Sequence, residues 1–99
     1  MIEHRKSRRF DLKLPLELVR CGRIRIGTSG ETRNVSSSGV LFSAEASVGI
    51  GDPVEYVITF PSDGPGSDVR LRCLGTVVRA DEHAAAVTLD RYEFVRESH

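Results

Sequence analysis

Leu12, Leu14, Leu16 and Leu18 stand at every second position, with Lys13, Pro15 and Glu17 between them. A period of two puts the four leucines on one face of an extended strand and the polar residues on the other. The same rhythm returns in Arg23-Ile24-Arg25-Ile26, and in Val54, Tyr56, Ile58 and Phe60. It returns again where Val69, Leu71, Cys73 and Val77 alternate with Arg70, Arg72 and Thr76. Val40-Leu41-Phe42 and Ala84–Leu89 read as two further short strands. No segment has a strong helical period. Half-buried strands must hide one face, and turn signals every eight to twelve residues suit an antiparallel barrel or sandwich of six or seven strands.

The punctuation supports this reading. Pro15 cannot donate to a ladder, so it belongs at an edge or where a missing N–H is tolerated. Gly27-Thr28-Ser29-Gly30 reads as a flexible turn, Gly49–Pro53 as a second turn and Pro61–Ser67 as a loop. Gly75 reads as a bulge or bend. The segment Asp90–His99 is expected to be a tail of at most one or two helical turns, with Tyr92 and Phe94 docking inward.

The chain has 99 residues, enough for one core. Its formal charge is zero, so the whole chain carries no nucleic-acid signature. Charge is nonetheless uneven: Arg5, Lys6, Arg8 and Arg9 stand against Glu3 alone in residues 1–9. Residues 1–11 therefore read as a flexible basic arm on a neutral barrel domain, residues 12–99. Such an arm points to a compact anionic ligand or partner.

Cys21 and Cys73 have no CxxC spacing and are too few for a zinc site. They read as buried free thiols in a reducing cytosol. No signal peptide is visible in the polar residues 1–11, and no apolar run reaches the roughly 18 residues of a membrane helix. A cytoplasmic protein without membrane insertion is expected.

Two polar motifs stand out. Arg5 and Arg9 are four residues apart; on an extended arm that is roughly 13 Å, with both side chains on one side. Each guanidinium can bind phosphate oxygens bidentately, donate to the O6/N7 edge of guanine, or stack on a purine. The plainer alternative is a solvated arm. Asn34-Val35-Ser36-Ser37-Ser38-Gly39 is the second motif. Asn34 can pair with a purine edge. The Ser36 hydroxyl can bond a ligand or its own backbone. Gly39 can adopt positive φ, and successive N–H groups can form an anion nest. The plainer alternative is a polar turn before a strand.

In this order and at this distance, the two motifs resemble the RxxxR and [D/N]xSxxG signatures of the PilZ domain family. The resemblance covers nearly the whole chain, from Leu12–Leu18 as the first strand to Arg70–Arg79 as the long strand before the last hairpin. It implies a PilZ-like β-barrel, bacterial origin, and a receptor for cyclic di-GMP. Carried over by position, Arg5 and Arg9 would contact guanine and phosphate, Asn34 a guanine edge and Ser36 the ligand. Gly39 would keep the turn tight, with Lys6, Arg8 and Ser38 as auxiliaries. Lys6 stands where many members have a second arginine, and Asn34 where aspartate is commoner. An amide lacks the charge-assisted acceptor of a carboxylate, which weakens guanine recognition.

No catalytic constellation emerges. His4, His83 and His99 are scattered, the carboxylates show no pairing logic, and Ser36–Ser38 lacks a nucleophile-elbow context. The expected function is thus non-enzymatic and cofactor-free. The dinucleotide would be clamped between arm and barrel, and a monomer or homodimer would signal to a downstream protein. The alternatives are a protein-interaction module with weak or no nucleotide binding, and a single-strand nucleic-acid binder. The second is disfavoured by the neutral body and by the lack of aromatics interleaved with the basic arm, so DNA and RNA are not expected partners.

Overall fold

The computed structural model describes residues 10–62 and 68–95. Seven strands follow in chain order: β1 Pro15–Cys21, β2 Ile24–Val35, β3 Gly39–Ala44, β4 Pro53–Phe60, β5 Val69–Ala80, β6 Ala84–Thr88 and β7 Arg91–Val95. All pairings are antiparallel, and β4 joins both β1 and β5. Six strands therefore close in the order β1-β2-β3-β6-β5-β4, and β7 adds to β5. Closure removes the unpaired edges of an open sheet. The expected all-β antiparallel barrel is the observed fold.

The alternation seen in the sequence is the inward–outward alternation of the barrel wall. Leu16, Leu18, Phe42, Val54, Tyr56, Ile58, Cys73, Val77 and Val87 fill the interior. Tyr56 is fully buried, and its hydroxyl donates to the Thr88 carbonyl at 3.0 Å. Burial raises the Tyr56 phenol and pushes the Cys73 thiol up to about 12. Both cysteines are free and buried, as expected. Buried Thr32 ties the chain before β1 to β2: its N–H donates to the Leu14 carbonyl and its hydroxyl to the Leu12 carbonyl. Pro15 takes the first position of β1, where its missing N–H is tolerated.

Four local expectations need correction. Gly27–Gly30 is no turn but lies inside the long β2. Gly27 takes a φ of 66° where the β1–β2 register shifts and β2 sets two residues, Ile26 and Gly27, opposite Val19, a conformation glycine adopts without steric cost. Gly75 does not bulge; it pairs in register with Val54. It is required because a Cβ there would lie 1.8 Å from the Thr88 carbonyl oxygen. The described part of the segment after Leu89, residues 90–95, is not helical. It forms β7, which continues β6 along the same flank of β5, with Leu89 and Asp90 as the break. Tyr92 and Phe94 do not dock inward but are 61% and 69% exposed. They face the same side as Cys73 and Leu71, yet β7 runs beyond the six-strand closure and no strand of the described residues covers them.

Candidate functional site

The end of β2, the loop Ser36–Ser38 and the start of β3 form one rim of a surface groove of about 410 Å³. Asn34, Ser36, Ser38 and Gly39 line it, and β5 contributes Val78 and Arg79 from the opposite side. A second depression of about 330 Å³ adjoins it, sharing Leu41, Arg79 and Ala86 and adding Arg33. The groove is thus the outer face of four neighbouring strands, β2, β3, β6 and β5.

Two bulges aim the polar residues at this face. Along β2 the inward positions are even-numbered: Gly30 faces Leu16, and Thr32 is buried opposite Phe42. Simple alternation would turn Asn34 into the core. The register shifts between Thr32 and Asn34, so Arg33 is the extra residue and Asn34 turns outward. Along β5 the inward positions are odd-numbered, with Cys73 and Val77 buried. Alternation would bury Arg79, but the register shifts between Val77 and Arg79, and Val78 and Arg79 both point out. The two residues end on one cross-strand row, Asn34–Leu41–Ala86–Arg79. Three strand spacings separate its ends, roughly 14 Å.

The Ser36–Gly39 loop is held by its own hydrogen bonds. The Ser36 hydroxyl accepts from the N–H groups of Ser38 (3.3 Å) and Gly39 (3.1 Å) and donates to the Gly39 carbonyl (3.1 Å). The Ser36 N–H donates to the Gly39 carbonyl at 2.9 Å. The backbone option for Ser36 is therefore the one seen, and the N–H groups of Ser36, Ser38 and Gly39 face the loop interior instead of forming an anion nest. Gly39 does not use positive φ; among the described residues that conformation belongs to Gly22, Gly27 and Gly51. Its hydrogen side chain is needed because a Cβ would sit 2.7 Å from the Val87 carbonyl oxygen. Gly39 lets β3 press against β6 at the groove floor.

The chain before β1 returns to this rim. Phe10 exchanges two backbone hydrogen bonds with Val35, each 2.9 Å, between Asn34 and Ser36. The expected approach of arm and loop is met as far as Phe10. Arg5, Lys6, Arg8 and Arg9 lie outside the described residues.

Electrostatics reinforce the groove's character. Asp81, in the β5–β6 turn, accepts from the N–H groups of His83 and Ala84, both at 2.9 Å. These bonds hold its carboxyl below the usual carboxylate range and commit its Oδ1 to the turn. Among the described residues no carboxylate pairs with Arg79, and no group of three metal-ligating side chains occurs. No helix of the described residues is long and apolar enough to cross a membrane. Arg79 was missed by sequence reading because it sits in an alternating strand with Arg70 and Arg72. A parity count, which puts an arginine at an inward position, was the available signal.

No curated protein and no solved structure matches the chain. A family model does: the PilZ domain model matches residues 3–96, which places the chain in the PilZ domain family, a family generally associated with cyclic di-GMP binding.

Proposed function

We propose that the protein is a cyclic di-GMP receptor in which residues 1–9 and the Asn34–Gly39 rim hold the dinucleotide between them. The observation that carries the reading is the Phe10–Val35 pairing. It anchors the chain one peptide bond from Arg9 at Val35, between Asn34 and Ser36 of the NxSxxG segment. From there Arg5 and Arg9 supply two guanidinium forks for phosphate and guanine. Asn34, half-buried at the end of the row, offers an amide to a base edge. Ser36 holds the loop in shape, and Gly39 keeps β3 and β6 close. Arg8, Lys6 and Ser38 border the same ligand. PilZ domains are binding modules, and in this reading ligand capture alters the surface offered to a downstream protein.

A second reading, a protein-interaction module, draws on Tyr92 and Phe94, two exposed aromatics on β7. Nucleotide-independent partner binding through that strand would favour it.

Isothermal titration with cyclic di-GMP tests the first reading. The wild-type chain should give saturable binding of fixed stoichiometry. Arg5→Ala and Arg9→Ala should each weaken it by roughly tenfold to a hundredfold, the worth of a charged hydrogen-bond set. A wild-type chain that releases no heat at physiological salt overturns the receptor reading.

A further inference from the structure

We infer that Arg79 is a specificity-determining residue of this site, binding the O6/N7 edge of a guanine at the end of the groove opposite Asn34. The inference rests on the cyclic di-GMP reading and extends it to a residue outside both motifs.

Three observations carry it. The first is the bulge in β5. A parity-driven Arg79 would enter a core lined by Val77, Val87 and Ala85, where an unpaired guanidinium is prohibitive. The extra residue instead presents Arg79 on the groove. Bulges commonly re-aim a side chain beside a functional site. The second is the matching bulge in β2, which presents Asn34 on the same row. Two independent register shifts thus bring two base-reading side chains to opposite ends of one line. The third is what lies between and around them. Leu41 and Ala86 make an uncharged floor, half-buried and apolar, against which a purine can lie flat. Arg79 is exposed and pairs with no carboxylate among the described residues; the nearby Asp81 gives its Oδ1 to two backbone N–H groups and forms no ion pair with Arg79.

A ligand with two guanines suits this geometry. Arginine pairs bidentately with the O6/N7 edge of guanine, and an amide pairs with an edge by donor and acceptor together. The apolar floor excludes water between them and strengthens both contacts. A dinucleotide carrying a guanine at each end meets Asn34 with one base and Arg79 with the other, while Arg5 and Arg9 address the phosphates.

The test is titration of wild-type, Arg79→Ala and Arg79→Lys chains with cyclic di-GMP and with the hybrid cyclic GMP–AMP, each variant's melting temperature serving as a fold control. Arg79→Ala should melt like wild type and bind cyclic di-GMP roughly 5- to 150-fold more weakly, the range for one bidentate base contact. Arg79→Lys should recover only part of the loss, because an ammonium lacks the planar fork. The hybrid should lose less, since its single guanine can occupy the other end. Wild-type binding with unchanged affinity in Arg79→Ala overturns this inference and leaves the receptor reading standing. Equal losses for both ligands mean that Arg79 holds phosphate, which overturns the base-edge assignment. Absence of binding by wild type overturns both.

Discussion

The two halves of β5 carry outward arginines in opposite circumstances. In the first half, Arg72 donates from Nε to Glu55 at 2.7 Å and from a terminal nitrogen to Glu93 at 2.9 Å. Arg70 lies 3.9 Å from Glu17. These arginines join β5 to β4, β7 and β1, and their charge is spent within the protein. In the second half, Arg79 meets a bulge, a groove and no carboxylate among the described residues. The residue type is the same and the strand is the same. What differs is whether the neighbouring strands offer an acceptor, and that decides whether a guanidinium fastens the barrel or is available to a ligand.

Within β5, Gly75, where the two halves meet, gives the largest effect. Its Cβ position coincides with the path of the Thr88 backbone, and Thr88 also accepts the Tyr56 hydroxyl and, through its Oγ1, the Thr76 N–H. Backbone cannot swing aside as a flexible side chain can. Gly75→Ala is therefore expected to destabilise the fold at or beyond the top of the roughly 1–3 kcal/mol overpacking range. Urea unfolding measures it. A wild-type midpoint would show that β6 and β5 do not approach so closely, and that their junction does not hold the halves in register.

The barrel was legible in the sequence because alternation is a direct imprint of a wall with one dry face. Leu16 and Leu18, and Val54, Tyr56 and Ile58, were read as inward and are inward. The motif loop was legible as polar residues before a short apolar strand. The bulges at Arg33 and Val78 were not, since a register shift depends on the partner strand; their one trace in the sequence is parity, which would turn Asn34 and Arg79 inward. Gly75 and Gly39 were noticed as glycines, but for the wrong cause. Each is needed for a close approach by a strand distant in sequence, to Thr88 and to Val87, and not for a backbone angle of its own.

Acid titration separates the two arginines further. The Arg72 side-chain hydrogen bond is the main cause holding the Glu55 carboxyl below its ordinary value of 4.5. The folded state thus gives up this proton more readily than the unfolded chain. The pair's stabilisation is full above about pH 4.5 and is lost as pH falls through the lower folded value. Arg72→Ala should lower the melting temperature at neutral pH, leave nucleotide affinity unchanged, and flatten the fall in melting temperature between about pH 5 and pH 3. Arg79→Ala should leave that acid slope as it is in wild type. Parallel slopes for wild type and Arg72→Ala would mean that the Glu55 contact is not held in solution, and the contrast between the two halves would reduce to position alone.

The smallest effect is expected where the sequence most invited a large one. Tyr92 and Phe94 alternate with Arg91 and Glu93 and read as core residues of a last element, yet both stand largely exposed. The reason is topological. β7 follows β5 past the point where β6 and β3 complete the barrel, so its inward face looks onto solvent beside Leu71 instead of onto a facing sheet. Alternation reports which side of a strand a residue occupies, and only the closure of the sheet decides whether that side is dry. Tyr92→Ser and Phe94→Ser should each therefore change unfolding free energy by no more than about 0.5 kcal/mol, the surface range. Phe42→Ala, in the closed part of the same wall, should cost about 3–5 kcal/mol. Should either β7 substitution cost as much as Phe42→Ala in urea unfolding, the aromatics are buried in solution against this chain or a second copy. Sedimentation velocity of wild type across a concentration series then tells the two apart, since only burial between copies depends on concentration.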